Sequence, residues 1–78
     1  MTINILFFGA TADVVGTRRT QMESQGIIVR DLLQQITADH PQLARHKLLF
    51  AVNQEYVPSD TEVNPGDEIA IFTAVSGG

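Results

Sequence analysis

The sequence predicts an α+β fold in two layers, a mixed sheet of four to five strands with one main helix packed on one face. Three observations carry that prediction. Apolar and β-branched residues dominate two period-two segments near the ends of the chain, TINILFF at 2–8 and EIAIFT at 68–73. A clear helical stripe is seen once, from Val29 to His40, where Val29, Leu32, Leu33 and Ile36 follow the i, i+3, i+4, i+7 pattern. A single helix covers only one sheet face, so helix and sheet must form two layers.

The elements follow in order. TINILFF is the first strand. GATADVVG, bounded by Gly9 and Gly16, is a loop with room for a single helical turn, and TRRTQME (17–23) is a polar edge strand returning beside the first. Arg30, Gln34, Gln35 and Asp39 cover the outer side of the helix, and Pro41 disfavours helical geometry at His40 and so ends it. The helix start lacks a capping side chain, because Ile28 stands where Ser, Thr or Asp would cap. KLLFAV (47–52) is an apolar strand, and Asn53–Gln54 connects it tightly to a short returning strand, EYV (55–57). NPGD (64–67) is a type II turn, with Pro65 at the second position and Gly66 supplying φ > 0 at the third. EIAIFT closes the fold. A closing strand that runs alongside the first makes this a ubiquitin-like β-grasp, one domain over residues 1–78 with a flexible Gly77–Gly78 tail.

Composition narrows the function classes. The net charge of −4 argues against a nucleic-acid partner, which requires a basic face, and favours partners with basic surfaces. The longest apolar run, LLFAV, is far short of the roughly 20 residues of a membrane span, so no membrane partner is expected. There is no cysteine. That excludes a disulfide framework, a thiolate nucleophile, a zinc ribbon and an iron–sulfur cluster, and makes a cytoplasmic location the default. His40 and His46 have no metal-ligand companions at helical spacing, so no metal site is expected. No nucleophile–base constellation and no phosphate-cradling glycine loop appears, so the chain is not expected to turn over substrate alone.

Strand alternation points to a second apolar face. Ile3, Ile5 and Phe7, with Ile69 and Ile71 and with Leu48, Phe50 and Val52, suit the helix-facing core. The opposite set, Leu6, Phe8, Leu49, Ala70 and Phe72, is apolar as well. An antiparallel or mixed sheet normally turns polar residues outward. Either loops cover this set, or it is a protein-docking surface.

ILFFGATADVVG at 5–16, KLLFAVNQEYV at 47–57 and, most specifically, NPGDEIAIFTAVSGG at 64–78 resemble the small, sulfur-carrier subunits of molybdopterin synthase over nearly the whole chain. In one place the pattern departs from that family: Ala12–Asp13 stands where an Arg–Glu pair is common. The resemblance implies a mechanism. An adenylyltransferase related to ubiquitin activators would use ATP to adenylate the Gly78 carboxylate, and a sulfurtransferase system would convert it to a thiocarboxylate. The tail, Val75, Ser76, Gly77 and Gly78, would enter the large synthase subunit, in a heterotetramer of two small and two large subunits. There it would give sulfur to cyclic pyranopterin monophosphate for the dithiolene of the molybdenum cofactor. No cofactor would be bound by the chain itself.

The residues suit that chemistry on separate grounds. Without cysteine, and with both methionine thioethers already alkylated, transferable sulfur would have to sit on a terminal acyl group. An α-carboxyl has a pKa of about 3.3–3.7, so it is ionised and a poor electrophile until activated. Glycines without Cβ suit close passage of a backbone through a narrow channel. Ordering four tail residues costs on the order of 4–8 kcal/mol; burying about 300 Å² of apolar sheet surface would offset roughly 7 kcal/mol. An anchoring patch together with a threaded tail is therefore the favoured arrangement. Three alternatives stay open: a sulfur carrier of the thiamine pathway, a ubiquitin-like protein tag, and a non-covalent docking module in which the glycines are incidental.

Overall fold

The computed structural model describes residues 1–74. In chain order its elements are β1 (Thr2–Phe7), α1 (Ala10–Val15), β2 (Arg19–Glu23), β3 (Ile27–Ile28), α2 (Val29–Asp39), a 3-10 turn (Pro41–Arg45), β4 (Leu48–Val52), β5 (Glu62–Val63) and β6 (Glu68–Thr73). Four strands form one sheet in the order β2-β1-β6-β4. β1 pairs antiparallel with β2, parallel with β6, and β6 pairs antiparallel with β4. The sheet is thus mixed, the first and last strands are its central pair, and the β-grasp prediction holds.

The helix-facing set is the core. Ile3, Ile5, Phe7, Ile69, Ile71 and Val52 are buried, and α2 lays Val29, Leu32 and Ile36 against them. Leu33, Leu48 and Phe50 are partly buried and pack on the same cluster. Each fully buried Ile or Leu contributes about 1.5–3 kcal/mol by leaving water. Leu43, from the 3-10 turn, adds a fully buried side chain that helical or strand periodicity could not reveal.

The missing cap of α2 has a tertiary explanation. Its first N–H groups, on Val29 and Arg30, donate to the carbonyls of Thr61 and Ser59 at 2.9 Å each. The loop before β5 satisfies the donors that a Ser or Asp side chain usually satisfies. This loop is held there because β3 and β5 pair as a second, two-stranded sheet, Ile27 with Val63 and Ile28 with Glu62. A two-residue pairing carries no periodic signal, so neither strand is readable from sequence.

The two predicted turns form. Asn53 and Gln54 have φ of 50° and 68°, the left-handed pair of a two-residue hairpin, and Val52 and Glu55 exchange backbone hydrogen bonds at 2.9 and 3.0 Å. Gly66 has φ of 91°, and the Asp67 N–H donates to the Asn64 carbonyl at 2.9 Å, as a type II turn requires. The expected returning strand over 55–57 is a correction: pairing stops at the single Val52–Glu55 bridge. Beyond it Tyr56 stays exposed while Val57 packs toward the core. Pro58 then follows and cannot donate to a ladder.

Candidate functional site

The strand register assembles the candidate face row by row. Leu6 lies beside Ala70, which lies beside Ala51 on the far strand. One row on, Phe72 pairs with Leu49. Phe8 immediately follows β1, and its N–H donates to the Ile71 carbonyl at 3.0 Å, which brings it level with Phe72. The five predicted residues Leu6, Phe8, Leu49, Ala70 and Phe72 are therefore brought together on the sheet face opposite α2. Phe8 is 52% exposed and the other four are half-buried.

The apolar character is confined to one end of this face. The next row back consists of Gln21, Asn4 and Glu68, and the Gln21 amide donates to the Asn4 side chain at 3.1 Å. Because β1 and β6 are parallel, both finish at the apolar end. Thr73 is the last residue of β6, and the N–H of exposed Ala74 donates to the Lys47 carbonyl at 3.4 Å. The chain thus leaves the sheet beside the Phe8–Phe72–Leu49 row. Val75, Ser76, Gly77 and Gly78, the rest of the predicted site, lie outside the described residues.

Two residues that sequence reasoning passed over belong to this end. Tyr56 is 79% exposed and packs edge-on to Phe72, ring centroids 6.2 Å apart. Its signal was an aromatic in an otherwise polar loop. Thr11, in α1, is completely buried. Its hydroxyl lies 2.7 Å from the Phe8 carbonyl and 3.0 Å from the Ile71 carbonyl, and accepts from the Phe8 N–H at 3.1 Å. This ties α1 to the ends of both central strands and fixes the backbone that carries Phe8 and Phe72. The short helix α1 ends at Gly16, whose φ of 88° suits a left-handed cap, in place of the single turn expected.

Electrostatics at the opposite end are structural. Asp67 sits in the type II turn, where its carboxylate accepts from the Asn64 N–H at 2.8 Å and from the Asn53 amide at 3.1 Å. These hydrogen bonds hold its pKa below the ordinary value, the backbone bond contributing most. The Asn53 side chain also accepts from the Glu68 N–H at 3.0 Å, so the two turns are clamped together. Among the described residues no group of three or more His, Asp or Glu is placed to hold a metal ion. Nor does any helix among them have the length and apolarity to cross a membrane.

Comparison with known proteins agrees with this architecture. The ThiS family profile matches residues 5–78. The chain is 40% identical to the molybdopterin synthase sulfur carrier subunit of Haemophilus influenzae, over 97% of this chain and 99% of that one. It is 38% identical to the human molybdopterin synthase sulfur carrier subunit, over 97% of this chain and 93% of that one. Among solved structures, SAMP1 from Haloferax volcanii superimposes with a TM-score of 0.83 at 26% identity, covering all of both chains. The protein-protein complex of subunits 1 and 2 of the molybdopterin-converting factor from Helicobacter pylori matches with a TM-score of 0.68 at 20% identity, again over all of both chains, and supports the fold. The chain belongs to the ThiS family, and the curated relatives it matches there are sulfur carrier subunits of molybdopterin synthase.

Proposed function

We propose that this chain is the sulfur-donating small subunit of a molybdopterin synthase, with Gly78 as the reacting residue and the apolar sheet end as its grip on the large subunit. The observation that carries the reading is the coincidence of two features: β6 ends at Thr73, at the margin of a partly exposed apolar face, and relatives of 36–40% identity carry the sulfur-carrier name. The naming of the Helicobacter pylori fold neighbour as a two-subunit complex fits a large-subunit partner.

In this reading an adenylyltransferase joins the Gly78 carboxylate to the adenylyl group of ATP, releasing pyrophosphate. The outer sulfur of a sulfurtransferase persulfide then displaces AMP to give an acyl disulfide, and a thiol reduces its S–S bond, leaving the thiocarboxylate on Gly78 and a disulfide on the sulfurtransferase side. ATP is consumed on the activating enzyme and is not held by this chain. The folded body seats on the large subunit through Leu6, Phe8, Leu49, Ala70 and Phe72, now joined by Tyr56. Val75, Ser76 and Gly77 thread toward the active site, and sulfur passes to cyclic pyranopterin monophosphate. Two copies of each subunit complete the assembly.

The test is reconstitution. Thiocarboxylated chain, mixed with a large synthase subunit and cyclic pyranopterin monophosphate, should yield the dithiolene product. Transfer of sulfur only in the presence of a thiazole synthase would assign the chain to the thiamine pathway instead. A protein-tag role is the second reading, favoured by the likeness to SAMP1, which a related structure names small archaeal modifier protein 1. It predicts isopeptide conjugates of this chain on cellular lysines.

A further inference from the structure

Beside the apolar face, a groove of about 460 Å³ runs between the end of β1, α1 and the start of β2, with Leu6, Phe8, Ala12, Asp13, Arg18 and Arg19 in its lining. Its charge is opposite to that of the chain. The sequence has nine acidic and five basic side chains, yet two of those five bases meet one acid here. Both arginines are exposed. Among the described residues the one ion pair joins the Met1 amine to Glu23 at 2.8 Å, so no carboxylate of the described chain neutralises either guanidinium.

The register fixes where this charge stands. Arg19 is opposite Leu6, in the row that continues through Ala70 to Ala51. Directly opposed residues of a ladder share a face, so Arg19 lies on the margin of the candidate docking surface. The Arg18 carbonyl accepts from the Phe7 N–H at 2.9 Å, which holds the pair's backbone in the sheet. Along β2 the same face then reads Arg19, Gln21, Glu23. It passes from cation to anion over four residues, roughly 13 Å.

We propose that this groove is the orienting rim of the docking surface, where Arg18 and Arg19 receive carboxylate side chains of the large synthase subunit. The inference rests on the docking reading above and adds the chemistry of the partner to it. Apolar burial is non-directional, so the Phe8–Phe72–Leu49 row alone does not fix how the face turns on its partner. Cationic charge at the tail end of the edge strand, with Glu23 at the far end already paired to the Met1 amine, selects a single sense. Guanidinium forks favour carboxylates in paired, planar geometry. Polar rims around apolar centres act chiefly on association rate and its salt dependence. The net charge favours a basic partner overall; the rim calls for an acidic patch at this one place.

The test measures association and dissociation rates of the full chain with the large subunit at about 50 mM and about 500 mM salt, where screening differs strongly. Arg18→Glu/Arg19→Glu should associate about 10- to 100-fold more slowly at low salt. That deficit should shrink toward parity at high salt, with little change in dissociation. Arg18→Lys/Arg19→Lys should keep most of the rate. Unchanged or faster association of the reversed variant at low salt, or a deficit of the same size at both salts, overturns the proposal. Phe72→Asp separates the two readings. If wild type binds, Phe72→Asp weakens it and the reversed variant matches wild type, the rim falls alone. If wild type fails to bind, the docking reading falls with it. Far-UV circular dichroism of each variant verifies the fold.

Discussion

The two faces of the sheet are both apolar, yet they differ in what their side chains accomplish. On one, Ile3, Ile5, Phe7, Ile69 and Ile71 are at most 3% exposed under α2. On the other, Leu6, Leu49, Ala70 and Phe72 are half-buried and Phe8 is 52% exposed. The first face completes its contacts within the chain; the second leaves apolar surface accessible among the described residues. Its polar half, around Asn4, Gln21 and Glu68, is an ordinary sheet exterior. The exposed apolar surface is therefore local to the end where β6 releases the chain, and that location, more than hydrophobicity, is the ground for proposing it as a docking surface.

The largest expected effect lies outside both faces. Removing Gly78 should reduce sulfur transfer to background in the reconstituted assay while leaving thermal unfolding unchanged. Next comes the inner face. Ile71→Ala should cost about 2–5 kcal/mol of stability in urea denaturation, a large part of what a chain of this size has. On the outer face, Phe72→Asp should leave the chain folded and weaken large-subunit binding by about 2 kcal/mol or more, roughly 30-fold, in titration calorimetry. Equal loss of stability at positions 71 and 72 would erase the distinction between the faces.

Two further changes sharpen it. Thr11→Val removes a buried hydroxyl that spans both faces' backbones and leaves the carbonyls of Phe8 and Ile71 without that donor. A loss of about 1–3 kcal/mol is expected in denaturant unfolding. The smallest effect is at the polar end. The native pKa of Asp67 is lowered below its ordinary 3.8. Its contribution is present above that ordinary value and is lost as pH falls through the lowered native one. Asp67→Asn should flatten the acid limb of the stability–pH curve below about pH 4 and leave the curve near pH 7 parallel to wild type.

Much of this was legible from residue order. β6 appeared at its predicted bounds, Pro65–Gly66 gave its turn, and alternation separated Ile71 from Phe72 correctly. What escaped notice was non-periodic. Ile27–Ile28 and Glu62–Val63 are too short to show a repeat, and the backbone carbonyls that cap α2 come from Ser59 and Thr61, about thirty residues away in sequence. Leu43 is buried by a 3-10 turn, whose period matches neither template. At the site, Leu6, Leu49, Ala70 and Phe72 were readable because strand parity assigns faces. Tyr56 and Thr11 were not, because their roles depend on where a hairpin exit and the short helix α1 come to rest.

In the proposed function the folded body grips while the end of the chain reacts. Intact-mass and fragment analysis of the chain after incubation with ATP, an activating enzyme and a sulfur donor tests it most directly. The expected result is an exchange of one oxygen for one sulfur, mapped to Gly78 and absent without ATP. No exchange, or sulfur mapped to any other residue, would contradict it.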